Sequence, residues 1–319
     1  IKKVYLHVVL LPVQGIFNEF PQTNYPNPES DFSWIIDCFK QKSIRFTCYF
    51  AFIGILKIMK FVQISDIHLG APDAMINGCF PTERLCACFR DITLWHSDAE
   101  FCVITGDLTE FAEPAAYKHL EQILSEFSLP CYLMLGNHDD RKVFQSIFVD
   151  YWQDENGYVQ YSHKTANSIF LFLDTKKEGL GSHEGQMCNL RLKWLQEELA
   201  SAGNQPVYIF MHHPPFDIGL PYVDKIKLFE FEDFAKTLKH GQNIKHIFFG
   251  HVHRMTSGTW RGIPFTSLPS LNHQIPLVSS SVDSEFCDEP PAYGVVNIDD
   301  EQLTFHYNTF MQRNGLNQT

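Results

Sequence analysis

Five short clusters in this sequence carry side chains able to bind metal ions or move protons: Asp66-Ile67-His68, Gly106-Asp107, Gly136-Asn137-His138-Asp139, Met211-His212-His213-Pro214 and Gly250-His251-Val252-His253. Their donors are imidazole, carboxylate and amide oxygen, with no thiolate. That set suits Mn, Fe, Zn or Co better than Mg or Ca, and argues against Cu(I) or an iron–sulfur cluster. Asp66 and His68 are two apart, as are His251 and His253. In extended backbone such residues point to one side and can reach one ion. Asp107 follows Gly106, which permits a tight turn, and its two oxygens can bridge two cations. Two ions about 3.5–4 Å apart clamp the attacking and leaving oxygens of a displacement at phosphorus. Any one cluster alone has a plainer reading. A lone histidine is often a satisfied core or surface group, Asp66 could cap a helix, and Asp107 or Asn137 could simply turn the chain.

What changes the balance is where the clusters fall. Short apolar runs at Phe61 to Ser65, Phe101 to Thr105, Cys131 to Leu135, Val207 to Met211 and Ile244 to Phe249 read as buried strands. Each is followed at once by one of the clusters, and ligand sites of α/β folds gather at the carboxyl ends of strands. Helical patterns lie between them, at Pro81 to His96, Glu113 to Phe127, Leu190 to Ala200 and Phe229 to His240. Pro81 and Pro114 suit first helical turns. Ser168 to Asp174, Met255 to Trp260, Ile263 to Ser267, Ala292 to Ile298 and Gln302 to Tyr307 read as further strands. The alternation of β and α, then a β-rich end, predicts an α/β domain with two packed sheets.

Bulk composition sets limits on function. The 319 residues are 45% hydrophobic and 19% charged, an ordinary globular balance. The net charge of -12 argues against a general nucleic-acid binder and against a nuclease, which need clustered Lys and Arg. The 9 cysteines show no CxxC pair and read as reduced, mostly buried thiols of a cytoplasmic protein. Residues 1–58 differ from the rest, with a Pro/Asn-rich stretch from Pro21 to Pro28 and an apolar run from Phe46 to Leu56. That run is shorter than the ~20 residues of a membrane span, so no span is expected. The segment MKFVQISDIHLG from Met59 reads as a natural start, which makes residues 1–58 an extension, 59–310 the catalytic domain and 311–319 a tail.

Taken in order, D-x-H, G-D, G-N-H-D, H-x-P and G-H-x-H resemble the motifs of the calcineurin-like metallophosphoesterases over about residues 59–310. The resemblance implies a four-layer α/β/β/α sandwich with two packed mixed sheets. It implies two divalent or mixed-valence metal ions, one bound by Asp66, His68, Asp107 and His253, the other by Asp107, Asn137, His212 and His251. A hydroxide bridging the ions would attack phosphorus. His138 would face the substrate, and Asp139 and His213 would orient ligands from behind. GNHDDR carries Asp139 where protein phosphatases carry Glu, and Gly106 opens GDLTEF where they carry G-D-x-x-D-R. GNHDDR, MHHPP and GHVHR instead look like class III cyclic nucleotide phosphodiesterases, which implies hydrolysis of 3′,5′-cyclic AMP to 5′-AMP. Glycerophosphodiesterases share most of these features, and a silent scaffold of the same fold is a further alternative. Arg141 is a candidate for phosphate or intersubunit contact, or else an ordinary surface arginine. The expected partner is a small phosphodiester; a homo-oligomer is allowed.

Overall fold

The computed structural model describes residues 58–179, 182–277 and 286–311. The extension and the tail expected at the two ends lie outside these, apart from residues 58 and 311. Strands β1 (Met59–Ile64), β2 (Phe101–Ile104) and β3 (Cys131–Leu133) run parallel, and β10 (Ala292–Ile298) and β11 (Leu303–Thr309) add antiparallel strands, giving the order β11-β10-β1-β2-β3. The second sheet has the order β4-β5-β6-β7-β9-β8. Its parallel strands are β5 (Ile169–Phe172), β6 (Val207–Met211), β7 (Ile244–Phe249) and β9 (Ile263–Ser267), with β4 (Tyr161–Lys164) and β8 (Thr256–Trp260) antiparallel at the edges.

The two-residue period of a strand explains how the layers stack. Phe61 of β1 meets Phe170, Phe210 and Phe248 of the second sheet edge-on, with ring centroids 5.7–6.0 Å apart. The residues between them, Leu171, Ile209 and Ile247, belong to a separate core that the second sheet shares with helices α4 (Asn189–Ala202) and α6 (Phe231–Leu238). On the first sheet, α1 (Pro81–Trp95) and α2 (Pro114–Glu126) supply Leu85, Ile92, Tyr117 and Leu120 to the core. Mixed sheets face each other with helices outside, as expected. Pro81 and Pro114 each occupy the first helical turn, where a missing N–H costs nothing.

Three short elements did not follow from the sequence pattern: β4, α3 (Arg141–Ile147) and α5 (Pro221–Lys225). The helix expected at Phe229 to His240 is confined to α6. Among the described cysteines only Cys88 and Cys102 are buried; Cys79, Cys86, Cys131, Cys188 and Cys287 are partly exposed, fewer buried thiols than expected.

Candidate metal centre

All five clusters leave the carboxyl ends of β1, β2, β3, β6 and β7, so both sheets contribute to one rim of the sandwich. The chain does not reach the site in extended form. Asp66, His68, Asp107, His251 and His253 all have φ between 46° and 68°. This corrects the expectation that extended i, i+2 spacing aims each pair. A non-glycine residue in this left-handed region is strained by roughly 1–3 kcal/mol, and such strain concentrates at functional sites. The surroundings fix it: Asp66 N donates to Gly106 O (3.2 Å) and His68 N to Asp107 O (2.9 Å). Gly136 is required by closeness, because a Cβ there would collide with the Asp107 carboxylate.

Two donor sets converge and share Asp107. In the first, Asp66, His68, Asp107 and His253 bring one ligand atom each to within 4.8 Å of one another. His68 Nδ1 bonds Glu110 Oε2 (2.7 Å), and His253 Nδ1 donates to His273 O (2.7 Å). Their Nε2 atoms, 3.2 Å apart, therefore both present lone pairs. His253 Nε2 is 3.4 Å from Asp66 Oδ1, and His68 Nε2 is 3.7 Å from Asp107 Oδ2. Lone pairs and carboxylate oxygens gathered this closely repel one another unless a proton or a metal ion lies among them. In the second set, His212 Nδ1 donates to Thr105 O (2.7 Å), leaving Nε2 3.3 Å from Asp107 Oδ2 and 3.2 Å from Asn137 Oδ1. Asn137 Nδ2 donates to His183 Nδ1 (3.0 Å), so its oxygen faces His251 Nδ1 at 2.9 Å. The residues fit two metal ions of the nitrogen- and oxygen-binding kind.

Protonation agrees with that fit. Burial works against the Asp107 carboxylate, but His212, His138 and His68 outweigh it and hold the group well below the usual carboxylate range. Burial and the neighbouring His212 push His251 down to about 3, so it is neutral as a ligand must be. His212 is lifted to about 9 by Asp107 against the effect of burial; an incoming cation would displace that proton.

The remaining expected residues lie around these sets. His138 is partly exposed, donates through Nδ1 to Glu110 O (3.0 Å), and its ring lies 4.8 Å from that of His68. Burial depresses it, yet Asp107 and Glu110 raise it above the ordinary histidine value. Asp139 touches no ligand side chain. It accepts from Leu108 N, Thr109 N, Gly136 N and the Tyr117 hydroxyl at 2.9–3.1 Å, and so ties the turn after β2 to the turn after β3. His213 is buried behind His251, with ring centroids 4.6 Å apart, and its Nδ1 bonds the Thr175 hydroxyl (2.8 Å).

Arg141 is neither on the surface nor free for phosphate, contrary to expectation. It is buried and grips Asp174 through two bonds, Nε to Oδ2 (2.7 Å) and Nη2 to Oδ1 (2.9 Å). Arg254 bonds Ile275 O and Glu289, and Arg261 pairs with Glu232. Three site residues went unread in the sequence: Glu110, His183 and His273. Glu110 had a signal, since it lies three residues after Asp107 in the same cluster. His183 and His273 had none beyond their type.

Residues 59–255 match the family model described as calcineurin-like phosphoesterase. The chain belongs to the calcineurin-like phosphoesterase family. A relative in Rhodopseudomonas palustris, named a probable cyclic nucleotide phosphodiesterase, is 38% identical over 259 residues, covering 79% of this chain and 93% of that protein. A probable glycerophosphodiester phosphodiesterase of Arcobacter nitrofigilis is 28% identical over 250 residues, covering 77% and 91%. Among solved structures, a dimetal phosphatase from Danio rerio is similar in fold, with a TM-score of 0.60, 16% identity, and coverage of 79% of this chain and 96% of that one.

Proposed function

We propose that this chain is a two-metal phosphodiesterase that hydrolyses 3′,5′-cyclic AMP to 5′-AMP. The observation that carries the reading is the pair of converging donor sets that share Asp107. Asp66, His68, Asp107 and His253 would hold one ion, and Asp107, Asn137, His212 and His251 the other; Mn, Fe, Zn or Co suits both. When bound, such ions supply an activated water and neutralise charge at phosphorus.

The chain's own residues do the rest. Glu110 fixes the tautomer of His68. The Glu110 carbonyl fixes Nδ1 of His138, which leaves Nε2 as the nitrogen that gives a proton to the departing 3′ oxygen. Asp139 and His213 position the ligand-bearing turns from behind. The engagement of Arg141, Arg254 and Arg261 elsewhere favours a diester over a monoester dianion, because none of the three is available for the extra charge. The 38% relative named for cyclic nucleotides supports the substrate class. Among the described residues no helix is long and apolar enough to cross a membrane, and we place the enzyme in the cytoplasm with its substrate.

The test is kcat/KM for cyclic AMP, a glycerophosphodiester and a phosphomonoester on one metal-reconstituted preparation. Preference for cyclic AMP is expected. A preference for the monoester overturns the diesterase reading, and a preference for the glycerol compound replaces the substrate while keeping the chemistry.

A further inference from the structure

Beside the donor sets lies a cavity of about 320 Å³, lined by Asn77, Cys79, Arg84, His273, Phe286 and Asp288 among others. His273 is its wall toward the metal centre, with its ring 4.9 Å from that of His68 and 4.7 Å from that of His253. On the cavity side, Phe286 meets His273 at 4.2 Å with the ring planes at 68°. Two rings set nearly at right angles form an apolar corner. A flat ligand lying on one ring presses its edge against the other, the geometry aromatic pairs prefer.

The corner is built rather than incidental. Gln274 and Cys287 exchange both backbone hydrogen bonds (3.1 and 2.8 Å), which anchors Phe286 next to them. The Gln274 side chain is itself held by Ser270, donating from Nε2 to Ser270 O and accepting from Ser270 N. Ser270 in turn donates to Asp66 O (2.7 Å), so the corner is tied to a metal-ligand residue.

The polar groups narrow the occupant. Asn77 Nδ2 is directed at His273 Nδ1 (3.1 Å), which leaves the amide oxygen to accept from a ligand. Arg84 donates to the carbonyl of Asn272 and pairs with Asp288 (3.3 Å). That pairing cancels the Asp288 charge, so the cavity offers no net negative field to a quaternary ammonium head group. A small polyol would leave the half-exposed Phe286 ring uncovered.

We propose that this cavity is the subsite for the nucleobase of the substrate, with Phe286 as its stacking platform and Asn77 as its hydrogen-bonding contact. The proposal rests on the diesterase reading above, in that the phosphoryl group sits at the donor sets while the base fills the corner. Phe286 and Asn77 then determine specificity and take no part in bond breaking.

Calorimetric titration of the metal-loaded protein with 5′-AMP and with ribose 5-phosphate isolates the base. The wild type should bind 5′-AMP tighter by roughly tenfold, the scale of one base stacked on one aromatic ring. Phe286→Ala should erase that ratio by weakening 5′-AMP alone, and Asn77→Ala should reduce it. Equal affinities in the wild type overturn the subsite, as does a ratio that survives Phe286→Ala. Turnover of cyclic AMP separates the two claims. A selective ratio lost in Phe286→Ala, in a protein that leaves cyclic AMP intact, supports the subsite and sinks the cyclic AMP hydrolase reading. Cleavage of cyclic AMP without base selectivity does the reverse.

Discussion

His68 Nε2 and His253 Nε2 face each other at 3.2 Å, and in the neutral rings the proton of each lies on the far side, toward Glu110 and toward His273 O. Two such lone pairs need a shared proton or a metal ion between them, and the carboxylates of Asp66 and Asp107 beside them favour a metal ion. Metal removal by a strong chelator should therefore abolish turnover and lower the melting temperature, and Mn should restore both. His253→Ala should lose one ion per chain and Asp107→Ala both, since Asp107 belongs to both sets. Elemental analysis of the purified variants decides this. Full metal content in Asp107→Ala would show that the carboxylate does not bridge.

Glu110 holds two histidines at once, one through its carboxylate and one through its carbonyl. Glu110→Gln keeps the carbonyl and the side-chain shape, but removes the charge that fixes the His68 tautomer. Metal affinity should fall by roughly 10–100-fold, the usual effect of losing a carboxylate behind a metal-bound imidazole. Saturating metal should then recover most of kcat. Unaltered metal affinity would leave Glu110 with no part in positioning His68.

His138 lies outside both donor sets. His138→Ala should keep the full metal content and still lower kcat by roughly 10²–10⁴-fold. The effect should shrink on a diester whose leaving group is a good one, such as a nitrophenolate, because that oxygen needs no proton. An equal loss on both substrates would assign His138 to binding the phosphoryl oxygens, and loss of metal would make its role structural.

The order of strands and helices was legible because β1, β2, β3, β6 and β7 are apolar runs that end at polar clusters, and because Pro81 and Pro114 mark helix starts. β4 was not, since its sequence Tyr-Ser-His-Lys has Tyr161 as its one buried residue and no alternation to read. α3 spans only Arg141–Ile147, two helical turns, too few for a 3.6-residue period; the side-chain cap of Asp140 on Val143 N is what starts it. The ligand types were legible, but not the backbone that aims them. Aspartate and histidine tolerate positive φ better than most residues but adopt negative φ far more often, and the conformation at Asp66, His68, Asp107, His251 and His253 is imposed by contacts between turns of different strands. His273 reaches the site from a loop, 196 residues along the chain from Asn77, which it bonds. No local pattern encodes such a meeting.

Asp174 is completely buried between two buried arginines, Arg141 and Arg191. The next residue, Thr175, carries the hydroxyl that holds His213, so this cluster braces the site from below. Burial alone would raise the Asp174 carboxyl, but Arg141 and then Arg191 outweigh it and hold it below the usual range. A carboxylate with a depressed folded-state pKa adds stability that is present above its unfolded value, near 3.9, and lost as pH falls through the folded value. Asp174→Asn keeps the shape but leaves Arg191 buried without a carboxylate and Arg141 with the exposed Glu178 alone, which should cost roughly 3–5 kcal/mol near neutral pH. Urea unfolding of wild type and variant, both metal-free, should show that full gap at pH 7 and a gap that shrinks below about pH 4, where Asp174 of the unfolded wild type gains its proton, until the folded carboxyl gains one too at lower pH. Subtracting the variant cancels the other carboxylates, which titrate in both proteins. A gap that stays constant down to pH 2.5 would mean that shape and hydrogen bonding, not the charge on Asp174, hold Arg141 in place.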